Sequence, residues 1–243
     1  MPRRKLPKQM EVIEPGKFMQ LWQQVQAFVE ENIRQVSAIG LIILVIAGGI
    51  GLWKYKLAQA EEQSQTLFFA ALNRYNGPDS QPGNEGSAVP MKDDAYRQAL
   101  DEFKKITQQY PDTGGVIAAL FYAGACSYRL GKIDDALTYY QNFLKKTGEI
   151  DVRLRPLAYE GIGYIYERKN DYKQALEWFE KQDKDSGGGL SVMAPLNLAR
   201  CYAALGDRER ACKSYQAFLD KNPSSYFAET AKAGVAEQCG KKQ

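Results

Sequence analysis

One spacing constrains this chain more than any other. Ala99, Ala136, Ala175 and Ala211 recur at intervals of 37, 39 and 36 residues, and four residues after each stands an aromatic: Phe103, Tyr140, Phe179 or Tyr215. The stretch from Pro195 to Pro223 shows the unit most clearly. Leu198, Tyr202, Gly206, Ala211, Tyr215, Phe218 and Pro223 are spaced as two short amphipathic helices that meet at a glycine turn, the second stopped by proline. Such a hairpin cannot bury its own apolar face, so the copies must stack on one another.

The pattern resembles the tetratricopeptide repeat, carried here by Gly206, Ala211, Tyr215 and Pro223. Corresponding residues are Ala99, Phe103, Ile106 and Pro111; Gly124, Gly131, Ala136, Tyr140 and Phe143; and Tyr159, Gly163, Tyr166, Ala175 and Phe179. The resemblance implies an all-α fold, a right-handed helical solenoid whose first helices line a concave groove. Some positions depart from the pattern. Ser127 stands where an aromatic is expected, Asn170 occupies a turn, and the third copy lacks its closing proline. The first copy has its opening helix displaced by residues 76–91, rich in Gly, Pro, Ser and Asn, which read as a mobile loop. Extra residues of the long period are expected in the turns near 147–152 and 184–189. Phe227, Ala228, Ala231 and Val235 fall on one face of a final helix, the cap that a solenoid end requires.

Ahead of the repeats, residues 1–16 are basic, aperiodic and contain three prolines, and read as a disordered tail. Residues 17–35 form an amphipathic juxtamembrane helix, with Phe18, Trp22, Val25, Phe28, Val29 and Ile33 at three- and four-residue steps. Residues 36–53 carry no charge, and at 1.5 Å per residue they extend roughly 27 Å, the thickness of a hydrocarbon core. They read as a transmembrane helix flanked by Arg34, Lys54 and Lys56. Ala58-Gln59-Ala60 has the form of a signal-peptidase site, but the long preceding segment and the two lysines favour an uncleaved anchor. Six Lys and Arg residues before the span, against Lys54, Lys56 and Arg74 after it, favour a cytoplasmic N-terminus. Residues 54–243 then form the repeat domain on the far side.

Composition narrows the function classes. The chain has no histidine, which removes histidine-dependent nucleophile systems and histidine metal ligands. Asp185-Ser186-Gly187-Gly188-Gly189 therefore reads as a flexible turn rather than a serine-protease loop. With no glycine-rich phosphate loop and no carboxylate cluster, an enzyme has little support, and no cofactor or small-molecule substrate is expected. The net charge of +3 is no footprint for nucleic acid.

The layout of a short tail, one span and a continuous helix leading into divergent repeats resembles the ancillary subunit of the bacterial Sec translocon. That resemblance implies a single-pass bacterial inner-membrane protein with a periplasmic repeat domain, a scaffold associated with SecYEG and periplasmic chaperones. A scaffold for envelope assembly or cell division is the alternative, and reversed topology would make a cytosolic adaptor.

Placing the repeat positions on the groove gives Phe121, Tyr122, Ala125 and Tyr128 from one hairpin. Glu160, Tyr164 and Arg168 come from the next, and Met193, Leu196, Asn197 and Arg200 from the last. On this reading the aromatics hold extended apolar or mixed polypeptide segments while Arg168 and Arg200 orient them. The same aromatics can instead pack between helices. Cys126 and Cys201 share a repeat position and read as buried thiols. Cys212, early in a second helix, can come level with Cys239, late in the antiparallel cap, in an oxidising compartment; Cys201 with Cys212 is the other possible pair.

Overall fold

The computed structural model describes residues 15–77, 90–148, 153–185 and 192–240. The tail expected over 1–16 lies almost entirely outside the described residues. So do most of the loop expected over 76–91 and most of the two turn segments, at 149–152 and 186–191.

The chain divides into two units, Met1–Lys56 and Leu57–Gln243. The first contains α1 (Pro15–Glu31) and the opening part of α2 (Ile33–Asn76). The helix expected over 17–35 is thus interrupted at Asn32. The amide side chain of Asn32 donates to the carbonyl of Phe28 at 3.0 Å, a local bond by which asparagine competes with the helical ladder. The α2 helix is the one described helix long and apolar enough to cross a membrane, with a mean hydropathy of 2.4 in its most apolar window and none of that window buried. Leu44 and Val45 are 71% and 67% exposed.

The second unit is all helix among its described residues. The part of α2 from Leu57 onward pairs with α3 (Pro90–Gln109), α4 (Gly115–Arg129) with α5 (Ile133–Thr147), α6 (Arg155–Arg168) with α7 (Tyr172–Asp185), and α8 (Ala194–Ala204) with α9 (Arg208–Lys221). The cap is α10 (Ala228–Cys239). The first hairpin is therefore complete. Its opening helix is the end of α2, where Leu67 and Phe68 pack on Ala99, Phe103 and Ile106. Glu61 accepts a bond from the Gly114 backbone at 2.9 Å, and Ser64 bonds Thr113 at 2.9 Å, fixing this helix to the start of the next hairpin.

The four marker alanines are fully buried, and Phe103, Tyr140, Phe179 and Tyr215 are at most 7% exposed. These rings explain several glycines. A Cβ on Gly124 would come within 2.9 Å of the Tyr140 ring, one on Gly161 within 2.7 Å of the same ring, and one on Gly234 within 2.5 Å of Tyr215. Second-helix aromatics thus occupy space that glycine vacates on adjoining helices. The hairpin turns are equally specific: Gly131, Asn170 and Gly206 adopt φ of 72°, 60° and 79° at equivalent places. Asparagine tolerates this left-handed region better than most residues with a side chain, so the departure at Asn170 preserves the turn.

Candidate functional site

The first helices α4, α6 and α8 were expected to expose a row of side chains, and the structure divides that row in two. Phe121, Leu196 and Asn197 are 8%, 2% and 0% exposed. Phe121 meets Tyr140 and Phe143, each at 5.7 Å between ring centroids, inside the second hairpin. Leu196 packs with Ala211, Tyr215 and Phe218. Tyr122 is stacked on Phe103 at 5.5 Å and touches Tyr75 and Phe68, so it closes the core of the first hairpin. Ala125 is buried too. These residues leave the groove for a simple reason. A first helix packs on its own second helix and on the preceding hairpin, so only a narrow strip stays open, and 3.6-residue periodicity alone does not say which strip.

Asn197 anchors a polar network that joins α6 to α8. Its amide nitrogen donates to Glu160 at 3.1 Å and to Gln182 at 3.4 Å, and its oxygen accepts from Arg200 at 3.0 Å. The Tyr164 hydroxyl lies 3.2 Å from that oxygen and 3.1 Å from the Glu160 carboxylate, within reach of both for its one proton. Arg200 in turn presents Nε and Nη2 to the two oxygens of Glu167, each at 2.9 Å. The buried amide therefore uses both donors, and its oxygen accepts from Arg200 with the Tyr164 hydroxyl also in reach, the condition under which a buried polar group stabilises rather than penalises. Burial works against the Arg200 charge, yet the hydrogen bonds and charge of Glu167 outweigh it and raise the pKa. Burial, then the Glu160 carboxylate, push the Tyr164 hydroxyl up to about 12, so it stays protonated at neutral pH. Its ring meets Phe179 edge-on at 5.5 Å, and Arg200 lies 5.7 Å from its centroid.

Arg200 is consequently a strut between hairpins and not a free group awaiting a partner. Arg168 is exposed, and Met193 and Tyr128 are partly buried. Glu167 and Gln182 escaped the sequence reading. Glu167 had a signal, an opposite charge 33 residues before Arg200, close to one repeat; Gln182 had none. Leu157 was missed as well. It stands 36 residues before Met193, the local repeat length, and is 40% exposed. Leu157, Glu160, Tyr164 and Arg168 follow at helical steps and so share a face of α6.

The cysteines do not form a reactive centre. Burial pushes the Cys126 and Cys201 thiols up to about 12, so they remain protonated and unreactive at neutral pH. Cys201 sits with Ala175 and Phe179. Cys212 is bonded to Cys239, Cα to Cα 5.2 Å, so the alternative pairing of Cys201 with Cys212 is not the one adopted. Among the described residues no group of three or more His, Cys, Asp or Glu side chains could hold a metal ion.

The local geometry is that of a repeat solenoid, and sequence models agree. Two models described as tetratricopeptide repeat match residues 127–188 and 196–225. The crystal structure of MamA superposes with a TM-score of 0.50 at 15% identity, over 63% of this chain and 84% of that one. A MamA double mutant, RS-1 ArsTM, gives 0.51 at 15% identity over 74% and 93%. A tetratricopeptide repeat protein from Parabacteroides merdae ATCC 43184 gives 0.49 at 17% identity over 76% and 73%. No curated protein matches the chain. Residues 127–188 and 196–225 are tetratricopeptide repeats, and the domain that contains them is a tetratricopeptide-repeat-like solenoid.

Proposed function

We propose that the chain is a membrane-anchored scaffold whose repeat domain binds extended segments of partner proteins across α6 and α8. The observation that carries this reading is the network centred on Asn197. It fixes the two first helices side by side, so the strip bearing Leu157, Arg168 and Met193 is a preorganised surface with an apolar and a cationic component. Residues 36–53 serve as the span, with the N-terminus cytoplasmic and the repeats periplasmic. The Cys212–Cys239 bond supports that placement, because such bonds persist in oxidising compartments. In that setting the scaffold links the Sec translocon to periplasmic chaperones, a role suggested by the layout of anchor and repeats.

The test uses the full chain in its own membranes. A photo-crosslinking residue at Leu157 or Met193 should capture discrete proteins, whereas one at Lys173 on α7 should not. Arg168→Glu with Leu157→Ala should lower capture from Met193 about tenfold without lowering the melting temperature, because both side chains are exposed and neither belongs to the network. Recovery of translocon and chaperone subunits supports the specific role. Division or envelope-assembly proteins would redirect it, and undiminished capture by the double variant would refute the surface. Labelling of an introduced cysteine from outside spheroplasts decides the side.

A further inference from the structure

In the first unit one row of residues keeps a period that the repeats do not use. Phe18, Trp22, Val25 and Val29 of α1 follow at steps of four, three and four residues. In the sequence the alternation continues through Asn32, where the helix is interrupted, to Val36, Ile39, Ile43, Ile46, Ile50 and Trp53 of α2. Steps alternating between three and four average 3.5 residues, the heptad period of helices that wind around each other.

The row is also sorted by chemistry. Residues 18–53 contain ten Val and Ile, and seven lie on this row, which holds only eleven of the 36 positions. Leu41, Leu44 and Leu52 lie off it. Lipid solvates every side of a helix alike and has no means of sorting branched from unbranched side chains. A packed seam has one, since Val and Ile have little rotamer freedom left to lose when they interlock. Most of the row is open among the described residues of the unit: Trp22, Ile43 and Ile50 are 52%, 60% and 51% exposed, while Val29, Asn32 and Val36 are half-buried where α1 meets α2. Gly40 and Gly49 flank it, and a Cβ on either would meet nothing within 4 Å. The chain's own packing therefore gives no reason for glycine there, whereas close approach of a second helix does.

We propose that this row is a self-association seam, engaging the same row of a second copy of the chain in parallel and in register. Asn32 selects that occupant. It is the one polar residue on the row, and in a parallel, in-register pair it meets its own counterpart, with which an amide can bond. Any shifted register sets the amide against Val or Ile, where its bond to the Phe28 carbonyl of its own chain is all it keeps. An antiparallel pair does the same and would also require the two N-termini on opposite sides of the membrane. The seam rests on the reading of residues 36–53 as a span.

Disulfide trapping of the full chain in native membranes tests it. Single variants Ile39→Cys, Ile43→Cys and Ile46→Cys place a thiol on the row, and Leu41→Cys and Leu44→Cys place one off it. Cys126 and Cys201 are buried and Cys212 is bonded to Cys239, so the unaltered chain gives the background. After copper-phenanthroline oxidation, covalent oligomer should be about fivefold more abundant for the three row positions than for the two leucine positions. Equal yields on and off the row, or none at either while the chain resists alkaline carbonate extraction, would overturn the seam. Lipid alone, or the helix of another protein, would then cover the row. Release by carbonate would overturn the membrane reading and the seam with it.

Discussion

Replacing Cys212 and Cys239 together by serine removes the one covalent tie between α9 and the cap. The cysteines are 27 residues apart, and for a loop of that length the chain-entropy model gives about 3.5 kcal/mol of stabilisation. Packing supplies a similar amount. The α10 helix buries Ala228, Ala231 and Gly234 and packs half-buried Val235 on the same core, roughly 2–3 kcal/mol of side-chain burial. The bond therefore holds the cap at least as strongly as packing does. Because a solenoid releases its end repeat before its middle, the effect should appear first in α10 itself. Hydrogen exchange of the full chain in mild detergent should show α10 amides exchanging roughly a hundredfold faster in the double variant. The melting temperature of the helical signal should fall by about 5–10 °C. Unchanged α10 exchange with a shift under about 1 °C would refute the argument, and would mean that the small-residue contacts of Ala231 and Gly234 with Tyr215 hold the cap alone.

Gly163→Ala should destabilise the repeat domain by about 1–3 kcal/mol in urea titrations, because its Cβ would fall on the fully buried Phe179 ring; an unchanged midpoint would contradict the packing. A double-mutant cycle of Glu167→Ala and Arg200→Ala should return a coupling of roughly 0.5–1.5 kcal/mol for this two-pronged, partly buried pair. Strict additivity would remove the strut between α6 and α8. The domain should keep a level melting temperature from pH 7 to about 9 and lose stability from there to pH 12. Cys126 and Cys201 are raised from 9.0 to about 12 and Tyr164 from 10.0 to about 12, so above pH 9 the unfolded chain releases protons that the folded chain still holds. A melting temperature that stayed level or rose up to pH 11 would show these groups to be solvated.

The four buried alanines, the aromatics that follow them and the turn residues Gly131 and Gly206 were legible in the sequence. Each encodes a local requirement, a close helix contact or a left-handed turn, that recurs at the repeat length. The uncharged run over 36–53 was legible for a similar reason, since length and apolarity can be read without any partner. The opening helix of the first hairpin was legible as a continuous helix running on from the span, displaced from its partner by residues 76–91. Packing of Phe68 on Phe103 shows that the end of α2 fills that place. Which of the residues assigned to the groove are exposed was not legible. Arg168 looks no different in sequence from Phe121 and Leu196, because each lies at a helical step compatible with either face of a first helix. Their burial was settled by contacts between residues far apart in the chain, as with Arg200 on Glu167 and Asn197 on Glu160 and Gln182. The sequence thus determined that hairpins form and stack, through short-range patterns each copy carries. Only the tertiary structure decided which side chains the stack leaves exposed and which cysteines meet, because both depend on how one hairpin sits against the next.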